Sequence, residues 1–380
     1  MKKFMFVLAP LVLVLIAELV FRAGAWEWFA RPDSHAGTSI RVKNAMEKPQ
    51  YKKIDFYTVG SSRPVYGLDH EAIAAAAAKH GYVHVNASMP GSHWMTIDVL
   101  TDWLARTHPE TRTGLIAVET TAFSFAGNGA YELGNAWPFV GIARNPDMTR
   151  HVPFSRADPA SWAVYSALYQ YREDIVDFLR HPVDRYRALR WAHNRPPVEE
   201  LQQNVTETGD MCAFGPMDAT MCDRIETSAD PAADKWKVHC KNLREALASR
   251  ADYSALMRQQ PIPAFMAETR DIVQHRLRAL KWKRKPLVVL MPVTRAWKDV
   301  SPIGQHEWAL AVLQPLVDEG AIDLVDMTDA LDVGGESDCH DFFDFYHQNA
   351  HGRERLMQLL LPRIEALLYD AGTTAAQPAP

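Results

Sequence analysis

A serine near one end of this chain, and an aspartate and a histidine near the other, have the types and spacing that acyl transfer requires. Phe342 to Leu356 reads FFDFYHQNAHGRERL and sets Asp344 three residues before His347, just ahead of a helix. An imidazole there can accept a hydroxyl proton, while the carboxylate orients the ring and stabilises the imidazolium that forms. The hydroxyl comes from Val59-Gly60-Ser61-Ser62-Arg63, directly after the apolar run Phe56-Tyr57-Thr58-Val59. Ser62 is thus expected at the carboxyl end of a strand, where open α/β sheets place their ligand sites. Its backbone N–H is the first candidate donor to the oxyanion of an acyl-transfer intermediate. Arg63 either holds an anionic group of the substrate or pairs with an acid, and Asn86 and Arg295 are further substrate-binding candidates.

A metal reading competes for the same residues, because His340, Asp341, Asp344, His347 and His351 crowd a dozen positions. His347 and His351 fall four apart, yet zinc needs a third ligand and no H-E-x-x-H is present. No metal is assigned.

Three blocks carry a resemblance. Gly60-Ser61-Ser62, Asn86-Ala87-Ser88-Met89-Pro90-Gly91 and Asp344-x-x-His347-x-Asn349-x-x-Gly352 resemble blocks of the SGNH (GDSL-like) hydrolase superfamily. The chain is similar to the membrane-anchored envelope branch, which includes the alginate O-acetylation proteins and the D-alanine transfer protein of teichoic acids. The likeness covers roughly residues 53 to 125 and 285 to 370. It implies a three-layer α/β/α fold of flavodoxin type, a Ser62-His347-Asp344 triad and no cofactor. It also implies an envelope polysaccharide or its acyl carrier as substrate, with a polytopic membrane acyltransferase as the partner that delivers the acyl group. Ser88 supplies the second oxyanion N–H by this resemblance. Typical members take a third donor from an asparagine after strand three, where this chain has Val118-Glu119-Thr120-Thr121-Ala122-Phe123. Either a hydroxyl of Thr120 or Thr121 substitutes, or the hole has two donors. The departure sustains a rival expectation, a catalytically inactive binding or scaffold protein of an envelope polysaccharide modification or export complex.

The elements that must position these residues follow from periodicity. Strands are expected at Asp55–Val59, Tyr82–Asn86, Gly114–Val118, Leu287–Met291 and Ile322–Val325, with helices at 69–80, 92–105 and 305–317 between them. The alternation predicts a five-stranded parallel sheet covered on both faces, with an amphipathic helix at His351–Leu368 closing the α/β domain of residues 53–370. Residues 126–284 read as a helical insertion, with helices at 159–179, 184–191, 235–250 and 267–280. Its Trp162, Tyr165, Tyr169 and Tyr171 either line a sugar groove or pack. The basic run Lys281 to Lys285 reads as a solvated approach to strand four or as a contact to anionic glycan or lipid.

Met1-Lys2-Lys3 precedes an apolar stretch from Phe4 to Val20, long enough to anchor residues 1–28 in a membrane. The lysines then keep the amino end in the cytoplasm, so the expected location is the cytoplasmic membrane, single-pass, with the domain outside. Trp26, Trp28 and Phe29 are the expected interfacial anchor. Ala23-Gly24-Ala25 keeps a cleaved signal peptide open as the alternative. Residues 29–52 read as a linker and residues 371–380 as a disordered tail.

The chain has 380 residues, 47% hydrophobic and 23% charged, with a net charge of -5. That is a globular composition without a basic surface or recognition helix, which argues against nucleic acid as a partner. Cys212, Cys222, Cys240 and Cys339 form no C-x-x-C pair. In an exported chain they are disulfide candidates, and Cys212 with Cys222 would close the shortest loop.

Overall fold

Five parallel strands make the sheet from which the reactive residues hang. This computed structural model describes residues 2–124, 130–140, 155–194, 204–332 and 338–369, apart from the single positions 33, 52, 158, 206, 219, 249 and 281. The expected tail of residues 371–380, and Lys281 of the basic run, lie outside them.

The strands are β1 (Phe56–Gly60), β2 (His84–Asn86), β3 (Thr113–Val118), β4 (Leu287–Leu290) and β5 (Asp323–Asp326). They lie in the order β2-β1-β3-β4-β5. β1, β2, β3 and β4 are wholly buried, as parallel strands covered on both faces are. Of the two edge strands, β2 is buried and β5 is half-exposed, ending in the exposed Asp326. Gly60 pairs with Ala117 and Thr58 with Asn86, so the ends of β1, β2 and β3 come level where the chain leaves β1. At Gly60 a Cβ would sit 2.1 Å from the Ala117 carbonyl oxygen and 2.6 Å from Pro64 Cγ. Only glycine lets the chain pass that close to β3 while turning into the next helix.

One unit holds the whole sheet: Lys53–Pro90, His108–Phe125 and Gln202–Pro380. Its helices His70–Lys79, Gln305–Asp318 and Ala350–Leu368 lie within a residue or so of the expected spans. Asp69 caps the first of them, accepting from the Ala72 N–H at 2.8 Å. Met211, Met221, Trp236, Leu243, Phe342, Phe345, Leu356, Leu360 and Ile364 share one apolar core with Phe56, Leu115 and Val289 of the sheet. Two disulfides, Cys212–Cys339 and Cys222–Cys240, fasten this unit. The shortest loop is not the one closed. Cys212 lies in a short turn at Cys212–Phe214, whereas Cys222 lies on the Met221–Thr227 helix, which packs on the Asp234–Ala248 helix that carries Cys240.

The other unit is Met1–Lys52, Gly91–Thr107 and Ala126–Leu201. The stretch expected as a linker is a helix, His35–Met46, with Ala36, Ile40, Val42, Ala45 and Met46 buried. Ser34 starts it by accepting from the Gly37 N–H, and it packs on the helix Ala130–Val140. Its polar residues hid an apolar stripe at helical spacing. The expected insertion is accordingly divided, with 126–201 in this unit and the remainder with the sheet. The expected helix at 159–179 is three, broken at Ser166, whose hydroxyl caps Ala167–Gln170, and at Tyr171. Tyr171 is buried there and lines no groove.

The amino-terminal helix Lys2–Arg22 has 21 residues and leaves Leu11, Leu13, Leu15, Ile16 and Leu19 more than half exposed. Among the described residues no helix is long and apolar enough to cross a membrane, and the side chains of residues 1–8 lie outside that description. Trp28 is exposed, while Phe29 packs on Phe21 and Phe178; the Trp26 side chain lies outside the description.

Candidate active site

The structure brings Ser62, His347 and Asp344 into one hydrogen-bonded line. β1 delivers Ser62 to the first position of the short helix Ser62–Gly67, where Ser61 is the N-cap and accepts from the Arg63 N–H. Ser62 Oγ lies 2.8 Å from His347 Nε2, and His347 Nδ1 lies 2.8 Å from Asp344 Oδ2. The carboxylate fixes the tautomer: Nδ1 carries the proton and donates it to Asp344, leaving Nε2 to accept from the serine. Both ring nitrogens are therefore engaged, and His351 turns its Nδ1 to Asp341 instead. The two histidines do not converge on a common point.

Asp344 Oδ1 accepts the backbone N–H groups of Tyr346 and His347, each at 2.7 Å. Burial raises the Asp344 carboxyl, but the His347 bond and charge and those two N–H groups outweigh it, so the group titrates below its ordinary value. The loop between acid and base is a tight hairpin in which Phe342 pairs with Gln348. It is pinned from outside by Thr294 Oγ1 donating to the Phe345 carbonyl at 2.9 Å and Gln348 Nε2 donating to the Pro292 carbonyl at 3.1 Å. Asn349 closes it by capping the final helix through the Gly352 N–H. Gly352 itself has no room for a Cβ, which would fall 2.1 Å from the Asp341 carbonyl oxygen.

Arg63 is turned inward, away from any substrate. Its guanidinium is buried, donates to the carbonyls of Tyr346 at 2.8 Å and Pro292 at 3.3 Å, and lies 3.8 Å from Glu119 Oε2. Burial outweighs the pull of Glu119 and Asp344, so it titrates below its ordinary value. Glu119 also accepts from Ser61 Oγ at 2.8 Å. One buried acid and one buried base thus tie the serine turn to the histidine loop. Sequence reasoning passed over Glu119; the available signal was a carboxylate directly after a wholly apolar strand.

Several expected contacts fall elsewhere. The Ser88 N–H, the expected second oxyanion donor, is taken by Asn86 Oδ1 at 3.0 Å. Asn86 is itself buried and satisfies its own turn, as asparagines after a strand commonly do. Thr120 and Thr121 lie in the short turn Thr120–Ser124, and Thr120 is buried on the wall of a cavity. Arg295 is exposed at the start of the helix Arg295–Val300.

A second unforeseen feature is an aromatic wall around the base. The ring of Phe343 lies nearly parallel to that of His347 at 5.6 Å, with Tyr66 at 4.9 Å and Tyr346 at 6.0 Å. Burial, helped by Asp344 and opposed by Arg63, pushes the Tyr346 phenol up to about 12. Tyr346 therefore stays neutral at the histidine's side. The FFDFYH string carried this signal in plain view. No protein-family model matches the chain, and no curated protein matches it either.

Proposed function

We propose that this protein is a serine acyl-transfer enzyme of SGNH-like type, acting on an acyl ester of a cell-envelope polysaccharide or its acyl carrier. The observation that carries the reading is the unbroken Ser62–His347–Asp344 line, with both links at 2.8 Å. Ser62 Oγ attacks the ester carbonyl and passes its proton to Nε2, and Asp344 holds the imidazolium through Nδ1. The same proton then goes to the departing alkoxide, leaving an acyl-serine. Water or a glycan hydroxyl attacks the acyl carbon and gives its proton to His347, and as the bond from the acyl carbon to Ser62 Oγ breaks His347 returns that proton to Oγ. The Ser62 N–H serves the oxyanion, since a first-turn N–H has no acceptor within its own helix. A fluorophosphonate probe should label the protein at Ser62, and labelling should vanish in Ser62→Ala and His347→Ala. Equal labelling of the Ser62→Ala protein would overturn the assignment.

The engaged Ser88 N–H favours one other reading, a catalytically silent binding or scaffold protein in an envelope polysaccharide complex. Complete absence of labelling in the folded protein would select it.

The exposed apolar residues on the amino-terminal helix support a membrane anchor, with the sheet-bearing unit outside the cytoplasm and a polytopic acyltransferase as neighbour. Fractionation with protease access on spheroplasts should find the chain membrane-bound and cleavable from outside. A soluble mature form starting near Trp26 would replace the anchor with a signal peptide.

A further inference from the structure

We infer that the unit built from Met1–Lys52, Gly91–Thr107 and Ala126–Leu201 rests on the lipid surface through a collar of exposed aromatic and aliphatic side chains around the end of the amino-terminal helix. The inference deepens the anchored reading above and rests on it: the collar lies in the headgroup layer of the outward-facing leaflet.

The helix Lys2–Arg22 is bare along its apolar stretch. Leu11, Val12, Leu13, Val14, Leu15 and Ile16 are each 44–67% exposed. Successive residues at that count take an α-helix through more than a full turn, so apolar side chains face outward on every side. A helix packed on its own protein buries one stripe; this stretch buries none, and hydrocarbon suits such an all-round apolar surface.

The next turns bind the helix to the insertion. Glu18 Oε1 accepts the Ala167 N–H at 2.8 Å, and Oε2 accepts the Ser166 hydroxyl at 2.8 Å and the Leu168 N–H at 3.1 Å. Arg22 donates to Glu18 at 2.7 Å and to the Tyr165 carbonyl. The acid that interrupts the apolar run therefore meets protein rather than lipid. Trp162 and Tyr165, 43% and 38% exposed on the helix Pro159–Tyr165, are fixed beside the point where the bare stretch ends. Trp162 donates its indole N–H to the Arg156 carbonyl at 3.3 Å, and the Arg156 side chain is exposed with no ion-pair partner among the described residues. Tryptophan and tyrosine concentrate at the membrane–water interface, and an arginine beside them suits lipid phosphate.

A second arc is held by the last turn of the same helix. Phe29 lies 5.1 Å from Phe21 and 5.0 Å from Phe178, and after Phe178 come Leu179, Val183 and Tyr186, 70%, 59% and 62% exposed. They lie on the helices Arg172–Arg180 and Pro182–Asn194, the first of which buries no residue.

The test uses the full chain in vesicles of phosphatidylethanolamine and phosphatidylglycerol. All four native cysteines are in disulfides, so one added cysteine takes a fluorescent label alone. With Tyr165→Cys, a nitroxide on the lipid near the headgroup should quench the label more strongly than one deep in the acyl chain, and aqueous iodide should quench it weakly. With Leu13→Cys the order of the two nitroxides should reverse. Leu179→Cys gives the same reading from the second arc should Tyr165→Cys fail to fold. A chain that fractionates as soluble overturns the anchor and the collar together. A membrane-bound chain whose collar label is reached by iodide and by neither nitroxide overturns the collar alone. Shielding from all three quenchers also overturns it, by showing that protein, such as a second copy of this chain, covers the face.

Discussion

Glu119 and Arg63 show how far residue type alone can be read. Both are buried, 3.8 Å apart, and each holds a different half of the site: Glu119 the Ser61 hydroxyl, Arg63 the Tyr346 carbonyl. Removing one partner strands the other charge in a dry setting, which typically costs about 3–5 kcal/mol. Glu119→Leu should therefore lower the unfolding free energy by about that amount, and Arg63→Met similarly. The double Glu119→Leu/Arg63→Met should lose much less than the sum, because neither charge is left over. Urea unfolding of the four proteins closes the cycle, and additive losses would show that the two side chains act independently. The types and order of Ser62, Asp344 and His347 were legible because a triad is a matter of residue chemistry and of which loop follows which strand. The inward turn of Arg63 and the engagement of the Ser88 N–H by Asn86 were not, since both depend on which hydrogen bond a side chain finds locally.

At the scale of elements, the strands were legible because each is an unbroken apolar run, and the helices between them because their apolar residues recur at helical spacing. The helix His35–Met46 was missed because its stripe is made of alanines, an isoleucine, a valine and a methionine among polar residues. Two elements are coupled in a way that no pattern suggests. The ring of His70, at the start of the His70–Lys79 helix, donates from Nε2 to the Pro64 carbonyl, 2.9 Å away, and its Nδ1 is buried without a hydrogen-bond partner among the described residues. Its ring stacks at 6.0 Å on that of His84 in β2, which meets Thr58 of β1. Burial pulls His70 down to about 4, against the Pro64 bond, and His84 is lowered by burial and by its neighbour. Above the ordinary histidine value near 6.5 both states are neutral and nothing is lost. As pH falls below it the unfolded chain gains protons that the folded one refuses, so stability drops until the folded value is reached. For His70 alone that is about 3 kcal/mol between roughly pH 6.5 and 4. Urea midpoints at pH 7, 6 and 5 should fall steadily in the native protein and more gently in His70→Asn. Identical slopes would show that His70 does not titrate in this range.

For the molecule as a whole, the cysteines were legible as disulfide candidates from their number and the apolar leader, but their pairing is a property of the fold. Cys212 and Cys339 are 127 residues apart and join the segment before the Met221–Thr227 helix to the approach to the acid-base loop. Cys222 and Cys240 are 18 apart and join two neighbouring helices. Native protein should accordingly show no free thiol in denaturant until it is reduced. Cross-links stabilise chiefly by restricting the unfolded chain, about 3 kcal/mol for a short loop and close to 5 kcal/mol for one of about a hundred residues. Replacing both members of a pair by serine should therefore cost more for Cys212–Cys339 than for Cys222–Cys240, by about 1 to 2 kcal/mol in urea unfolding. The long link has a second consequence, because Met211 donates to the Cys339 carbonyl and Asn349 Nδ2 to the carbonyls of Gly209 and His340. The strap before Cys212 and the loop after Cys339 thus brace the residue that caps the final helix two positions after His347. Cys212→Ser/Cys339→Ser should consequently slow fluorophosphonate labelling of Ser62 while the protein is still folded, whereas Cys222→Ser/Cys240→Ser should leave the labelling rate close to native. Equal effects of the two pairs on labelling would mean that the long disulfide serves stability alone.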